Sequence, residues 1–432
     1  MVNARIGTTF RALKHRNYQL WFFGQGLSLI GTWMQTMAQQ VLVYRMTGSA
    51  TALGIVSFMG VVPLVPFALW GGSLSDRIPK RRLLLITQSL MLLQALILGV
   101  LTTTGLVQIW HVYMMAFLLG AFKAVDMPAR QSFVVEMVEG REDLTSAIGL
   151  NSAMHNGART LGPALAGMLV ALMGEGPAFL ANGLSFLAVI GSLLFMSDVP
   201  QQQETRPAEA HVLVHMAEGL RFVWGHQTLL VLMTLVAVSS FLSRPYQTLM
   251  PVFADVTLKA SAQPVIGLLC NGEHAWLNCQ APEALPLGLL LSAVGLGAII
   301  GAFLVASLPD RAPRGRILTA GNLAFPLFLL LFVSSHSFPV SLLVMLLVGL
   351  SHVFQNSLAN TLLQMHSPDA LRGRVMSLYF LVSHGMTQLG GLQAGYTADW
   401  LSAPIAVGAG GVLSLAYGLF VAFRYPKIRR LE

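Results

Sequence analysis

Charge is what this chain of 432 residues has least of. Only 10% of it is Asp, Glu, Lys or Arg, while 55% is hydrophobic, against about 25% charged in ordinary soluble domains. So few charges cannot cover a water-facing surface, and a soluble protein is excluded. Cysteine is nearly absent too: Cys270 and Cys279 are the only two, too few for a disulfide scaffold or a thiolate zinc site. The sequence has no Gly-x4-Gly-Lys-Ser/Thr loop to cradle a nucleotide, which argues against ATP-driven transport. It has neither a Gly-x-Ser-x-Gly elbow nor a zinc signature, so catalysis has no foothold, and an enzyme is not expected. No cofactor and no metal are expected. The apolar runs lack the alternation of a membrane β-barrel. Met1–Asn17 is polar and basic and no small-residue cleavage pattern follows Tyr18, so no cleavable signal peptide is expected.

What the chain does have is long apolar runs. Twelve reach or approach the ~20 residues needed to cross a bilayer as helix: about 18–43, 52–74, 83–104, 110–131, 146–172, 177–196, 228–253, 286–308, 317–335, 339–364, 375–400 and 404–423. With the N-terminus inside, twenty Lys and Arg fall on the cytoplasmic side and only Arg45 and Lys259 outside. That bias predicts an N-in/C-in, multi-pass all-α membrane protein. The net charge of +8 is thereby accounted for by topology, and no nucleic-acid partner is expected.

The chain also repeats itself. Ser75-Asp76-Arg77-Ile78-Pro79-Lys80-Arg81-Arg82 is echoed half a chain later by Pro309-Asp310-Arg311-Ala312-Pro313-Arg314-Gly315-Arg316, each between two apolar runs. Gly54 and Gly288 are separated by the same interval as Asp76 and Asp310, and Leu161–Gly167 aligns with Leu389–Gly395 at nearly that interval. A duplicated bundle is transporter architecture. The predicted organisation is a six-helix half over 1–197, a cytoplasmic link over 198–225 and a second six-helix half over 226–432. The second half carries an extracytoplasmic insert at 264–286. Within the link, His211–Trp224 alternates apolar and polar residues, as a helix lying on the membrane surface would; an ordinary linker that happens to be helical fits equally well.

Gly72-x-x-x-Asp76-Arg77-x-x-Lys80-Arg81 resembles the signature loop of the major facilitator superfamily, except that Pro79 stands where glycine is usual. The resemblance runs through the whole chain. Val125-Asp126-Met127-Pro128-Ala129-Arg130-Gln131, Arg141-Glu142-Asp143-Leu144 and Ala158-Arg159-x-x-Gly162-Pro163-Ala164 resemble one branch, which includes enterobactin and macrolide exporters. The resemblance implies a gating loop of Gly72, Asp76, Arg77, Lys80 and Arg81, with Asp310 and Arg311 as its second copy. It further implies export of a small organic molecule, such as a siderophore or hydrophobic drug, by alternating access and driven by proton entry. The expected partners are that substrate, protons and the lipid bilayer, with no nucleotide; a monomer is expected.

Polar residues inside apolar spans carry the candidate chemistry, since an unpaired charge there costs roughly 2.5–3.5 kcal/mol on insertion scales. Asn151, His155 and Arg159 recur every four residues on the fifth span, and Arg244 sits deep in the seventh beside Pro245. These cations suggest a cavity for an anionic or polyhydroxylated ligand, or else hydrogen bonding between helices. Gln25 and Gln35 on the first span, His352 and Asn356 on the tenth, and His384 and Gln388 on the eleventh extend the candidate cavity. Asp126 is spaced to pair with Lys123 or Arg130 along its helix. It either neutralises one of them or, with Arg130, carries the coupling proton. Gly157, Gly162, Pro163 and Gly167 resemble the helix-sliding motif of antiporters. A Cys270–Cys279 disulfide is expected on the oxidising side of the membrane, with two free thiols as the alternative. An importer or facilitator of an anionic metabolite and a lysophospholipid flippase are the rival functions.

Overall fold

A computed structural model describes residues 10–64, 67, 78–138, 140–197, 212–270, 279–309 and 312–431. Among them there is helix and no strand. The helices are α1 (Arg16–Thr47), α2 (Ala50–Met59), α3 (Lys80–Thr103), α4 (Ile109–Glu136), α5 (Arg141–Met173), α6 (Glu175–Phe195), α7 (Val212–Gly225), α8 (Gln227–Val238), α9 (Tyr246–Val252), α10 (Lys259–Leu269), α11 (Ala284–Ala306), α12 (Arg314–Ser334), α13 (Phe338–Met365), α14 (Asp369–Trp400) and α15 (Ala403–Arg424). Eight stretches of helix among the described residues are long and apolar enough to cross a membrane, the run Gln227–Thr257 counting as one. Gly72, Asp76, Arg77, Asp310 and Arg311 lie outside the described residues, as does the tip of the insert.

The chain forms two compact units, one of residues 1–42, 59–208 and 277–288, the other of 43–58, 209–276 and 289–432. In the first, α3 packs closely on α6. An added Cβ on Gly99 would meet Leu180, and one on Gly183 would meet Leu96, each 2.7 Å away. Trp21, Leu84, Phe133 and Val189 fill a core beneath α1, α3, α4 and α6. In the second, α12 takes the corresponding place between α13 and α15. Gly321 faces Phe354 of α13 and Gly418 faces Asn322 of α12, while Leu232, Leu318, Leu362 and Val375 anchor the core. Large apolar side chains also stand exposed on the outside of both units, Phe195 at 73% and Phe303 at 73% among them. Water would not tolerate such a belt, whereas lipid requires it.

Helix ends and breaks are fixed by named residues. Arg81 donates from Nε to the Leu193 carbonyl at 2.7 Å and from Nη2 to that of Leu194 at 3.1 Å, covering the last carbonyls of α6 with a cation. Lys80 pairs with Glu136 at the end of α4. Two of the expected gating residues therefore fasten α3 to its neighbours. Between α8 and α9 the helix widens into a π turn at Ser239–Ser243 and ends on Arg244–Pro245, because proline brings no amide to the ladder. Gly390 of α14 fits into that break, where an added Cβ would overlap the Phe241 carbonyl oxygen. Cys270 and Cys279 are both disulfide-bonded, and Cys270 is buried.

Candidate functional site

In the first unit the polar residues converge on Asp126, a fully buried carboxylate on α4. Thr87 donates to its Oδ1 at 2.7 Å and Gln88 Nε2 to the same oxygen at 2.9 Å. Arg130, one turn on, pairs with Oδ2. One cation and two neutral donors thus satisfy both oxygens, on a helix that also presents Lys123. Of the two cations expected to pair with Asp126, Arg130 is the one in contact. A second buried cluster lies beside it: Asn182 of α6 donates to Gln35 of α1 at 2.6 Å, and Gln35 donates to Gln94 of α3 at 3.3 Å.

The second unit contains a related pair. Asn322 stands as far after Gln88 as Asp310 stands after Asp76, so the two match in the repeat. Gln355 likewise stands as far after Asp126 as Phe338, the start of α13, stands after Ile109, the start of α4. Gln355 Nε2 donates to Asn322 Oδ1 at 2.8 Å, and Ser239 donates to Gln355 Oε1 at 2.9 Å. The same helix pair is thus bridged in both halves of the sequence, by a titratable carboxylate in one and by an amide that cannot titrate in the other.

The remaining sequence-predicted residues divide by exposure. Gln25, Gln35 and His352 are buried, at 1%, 1% and 6%, where helix packs on helix; His352 lies against the Phe325 ring. Asn151, Arg159, Arg244, Asn356 and Gln388 are partly exposed, while His155 and His384 are exposed. Arg159 stacks its guanidinium over Trp33 of α1, 5.9 Å from the ring centre. Arg244 donates to Ser383 Oγ of α14 at 3.0 Å, and Asn356 accepts from the Tyr379 hydroxyl at 2.8 Å. His384 Nδ1 lies 3.2 Å from the Phe380 carbonyl oxygen. Glycines of the expected sliding motif differ sharply. A Cβ on Gly162 would overlap Trp33 Cβ, and one on Gly167 would sit 3.1 Å from the Ala284 carbonyl oxygen, whereas Gly157 has nothing within 4 Å.

Sequence reasoning missed Thr87, Gln88, Gln94, Asn182, Asn322, Gln355 and Ser383. Their signal was available in the two adjacent polar residues Thr87-Gln88 and the Gln94 that interrupt an apolar third span. An open cleft of about 400 Å³, lined by Glu218, Arg221, Phe222, Gly225, His226, Leu371 and Arg374, lies between α7 and α14, away from these clusters. Among the described residues no group of His, Cys, Asp and Glu could hold a metal ion.

Known proteins resemble this chain along its length. A family model described as "Transmembrane secretion effector" matches residues 7–432. The chain is 27% identical over 420 residues to the multidrug efflux pump Tap of Mycobacterium tuberculosis, covering 95% of this chain and 93% of that protein. It is 24% identical to the staphyloferrin A transporter of Staphylococcus aureus, covering 88% and 89%, and 21% identical to the enterobactin exporter EntS of Shigella flexneri, covering 97% and 94%. Among solved structures, the nucleoside transporter NupG superposes with a TM-score of 0.68 at 11% identity, covering 97% of this chain and 100% of that one. A bacterial homologue of the lysosomal transporter Spinster superposes at 0.66 and 14%, covering 96% and 97%. The helical fold, the apolar belt and a match over nearly all its residues place the chain in the transmembrane secretion effector family, as a membrane transporter of the major facilitator superfamily and not an enzyme.

Proposed function

We propose that the protein is a proton-coupled exporter of a small organic molecule, of the siderophore or hydrophobic-drug class, in a bacterial cytoplasmic membrane. It works as twelve spans, N-in and C-in, in two six-helix halves that alternate access to a cavity. The observation that carries the reading is the buried Asp126, held by Thr87, Gln88 and Arg130. A proton arriving on Asp126 neutralises the carboxylate and releases Arg130, whose charge then needs another partner at that depth. Its repeat counterpart, Gln355, is an amide that cannot titrate, so of these two matching bridges the one in the first half carries the coupling chemistry. Arg159, Arg244, Asn356 and Gln388, being partly exposed, remain the residues for a polar or anionic part of the substrate. The similarity to Tap, a multidrug efflux pump, to EntS, an enterobactin exporter, and to the staphyloferrin A transporter supports these substrate classes.

Inside-out vesicles energised to an acid interior test this with a pH-sensitive dye while siderophores, macrolides and tetracyclines are added singly. One class is expected to collapse the gradient, and Asp126→Asn to abolish that response. A substrate-driven collapse that survives Asp126→Asn removes the proton from this residue. The second reading, import of an anionic metabolite, draws on Arg159 and Arg244; accumulation of labelled anion by intact cells would favour it.

A further inference from the structure

The last turn of α14 reaches the first turn of α2. Asp399 accepts the backbone N–H of Ala50 at 2.7 Å on Oδ1 and that of Thr51 at 2.9 Å on Oδ2, and Ser49 Oγ donates to Oδ2 at 2.5 Å. The Ser49 oxygen in turn accepts the Ala52 N–H at 3.2 Å. A carboxylate from near the other end of the sequence thus caps the start of α2, where amides lack partners and the helix dipole favours negative charge. The glycines below it bring the two helices into backbone contact. A Cβ on Gly395 would overlap the Ala50 carbonyl oxygen, and one on Gly54 would lie 2.8 Å from that of Gly391. Gly391, Gly395 and Asp399 follow one another at four-residue spacing along a single stripe of α14.

The repeat supplies a comparison within the same molecule. In the alignment of Leu161–Gly167 with Leu389–Gly395, continued one turn further, Pro163, Gly167 and Ala171 of α5 correspond to Gly391, Gly395 and Asp399. This stripe packs on the start of α11, with a Cβ on Gly288 falling 2.7 Å from the Pro163 carbonyl oxygen. Its third position offers no side-chain acceptor. The Ala171 carbonyl itself takes the N–H groups of Gln280 and Ala281, at 2.7 and 3.0 Å. At this third position, among the described residues, one stripe is tied through a backbone carbonyl and the other through a carboxylate.

We propose that Asp399 is a latch of the transport cycle, closing the extracytoplasmic ends of α2 and α14 in the state seen here and releasing them in the outward-open state. This rests on the alternating-access reading and the N-in orientation, but on neither proton coupling nor substrate.

The test uses Ala50→Cys, a position 3% exposed, as reporter. Both native cysteines are disulfide-bonded and do not react with maleimide. A membrane-impermeant maleimide is added to intact cells, with no substrate and no imposed gradient. Labelling is expected to be slow in the otherwise native protein and about five-fold faster with Asp399→Asn, which removes the negative charge and one of the two acceptor oxygens that three donors share. Ser49→Ala should give a smaller rise. Ala95→Cys, fully buried in α3, serves as the folding control and should stay unlabelled in the Asp399→Asn background. An unchanged rate in Asp399→Asn overturns the latch, as does an equal rise at Ala95→Cys. Labelling of Ala50→Cys only in inside-out vesicles overturns the orientation, and with it the latch. Proton coupling stands or falls separately in the dye assay.

Discussion

At the scale of single residues, what matters is which groups can change charge and which hold them. Asp126 and Gln355 occupy matching places in the repeat, yet one is a carboxylate and the other an amide. Asp126→Asn should therefore leave a folded protein, with an amide at both places and no substrate-driven proton movement. Another carboxylate acts on stability. Asp143, in the first turn of α5, lies 2.8 Å from His15 and is bridged to Arg11. The His15 hydrogen bond, then the Arg11 charge, hold it below the ordinary carboxylate range. A pKa depressed by folding stabilises the protein above the unfolded value of about 3.9 and ceases to do so as pH falls through the folded value. Melting temperature should thus drop below about pH 4 through this group, and Asp143→Asn should remove that part of the drop. Of these residues, Asp126 and Arg130 were legible in the sequence, because four-residue spacing reports neighbours on one helix. Thr87 and Gln88 were not, because no spacing within α4 says which face of α3 it meets. Asp399 was invisible for a different reason: an acid at the end of a span reads as ordinary interface polarity until its partner, near the opposite end of the chain, is known.

At the scale of elements, glycine position decides how closely helices pass. The sequence grouped Gly157, Gly162 and Gly167 as one sliding motif, yet only the latter two are pressed against another helix. Gly162→Ala should force Trp33 and the backbone of α1 aside and destabilise by about 1–3 kcal/mol, while Gly157→Ala, facing open space within a helix, should stabilise by about 0.5–1 kcal/mol. Melting of the detergent-solubilised variants distinguishes them. The break at Arg244–Pro245 was readable, since proline cannot continue the ladder. The π turn before it was not, because it depends on the α14 glycine that fits into the gap. Arg244→Ala would remove the donor to Ser383 and leave that π turn without one of its ties to α14.

At the scale of the whole molecule, length, composition and the half-chain repeat already implied a helical membrane protein of the major facilitator type, and the family match and the fold agree. The apolar runs did so because lipid leaves few alternatives to a helix with satisfied backbone. Residue pairs across helices were beyond such reasoning, since they depend on how each helix is rotated about its axis. The glycine contact between α2 and α14 carries a final consequence, which concerns tightness. Where a Cβ on Gly54 would stand 2.8 Å from the Gly391 carbonyl oxygen, the helices touch without an intervening side chain or room for a file of water. A seam with no water wire cannot conduct protons by hopping, so in the proton-coupled cycle proposed above it would keep the gradient from being short-circuited. Gly54→Val should wedge it ajar, and the expected result is a substrate-independent proton leak, read as a collapsing pH gradient in vesicles to which nothing has been added.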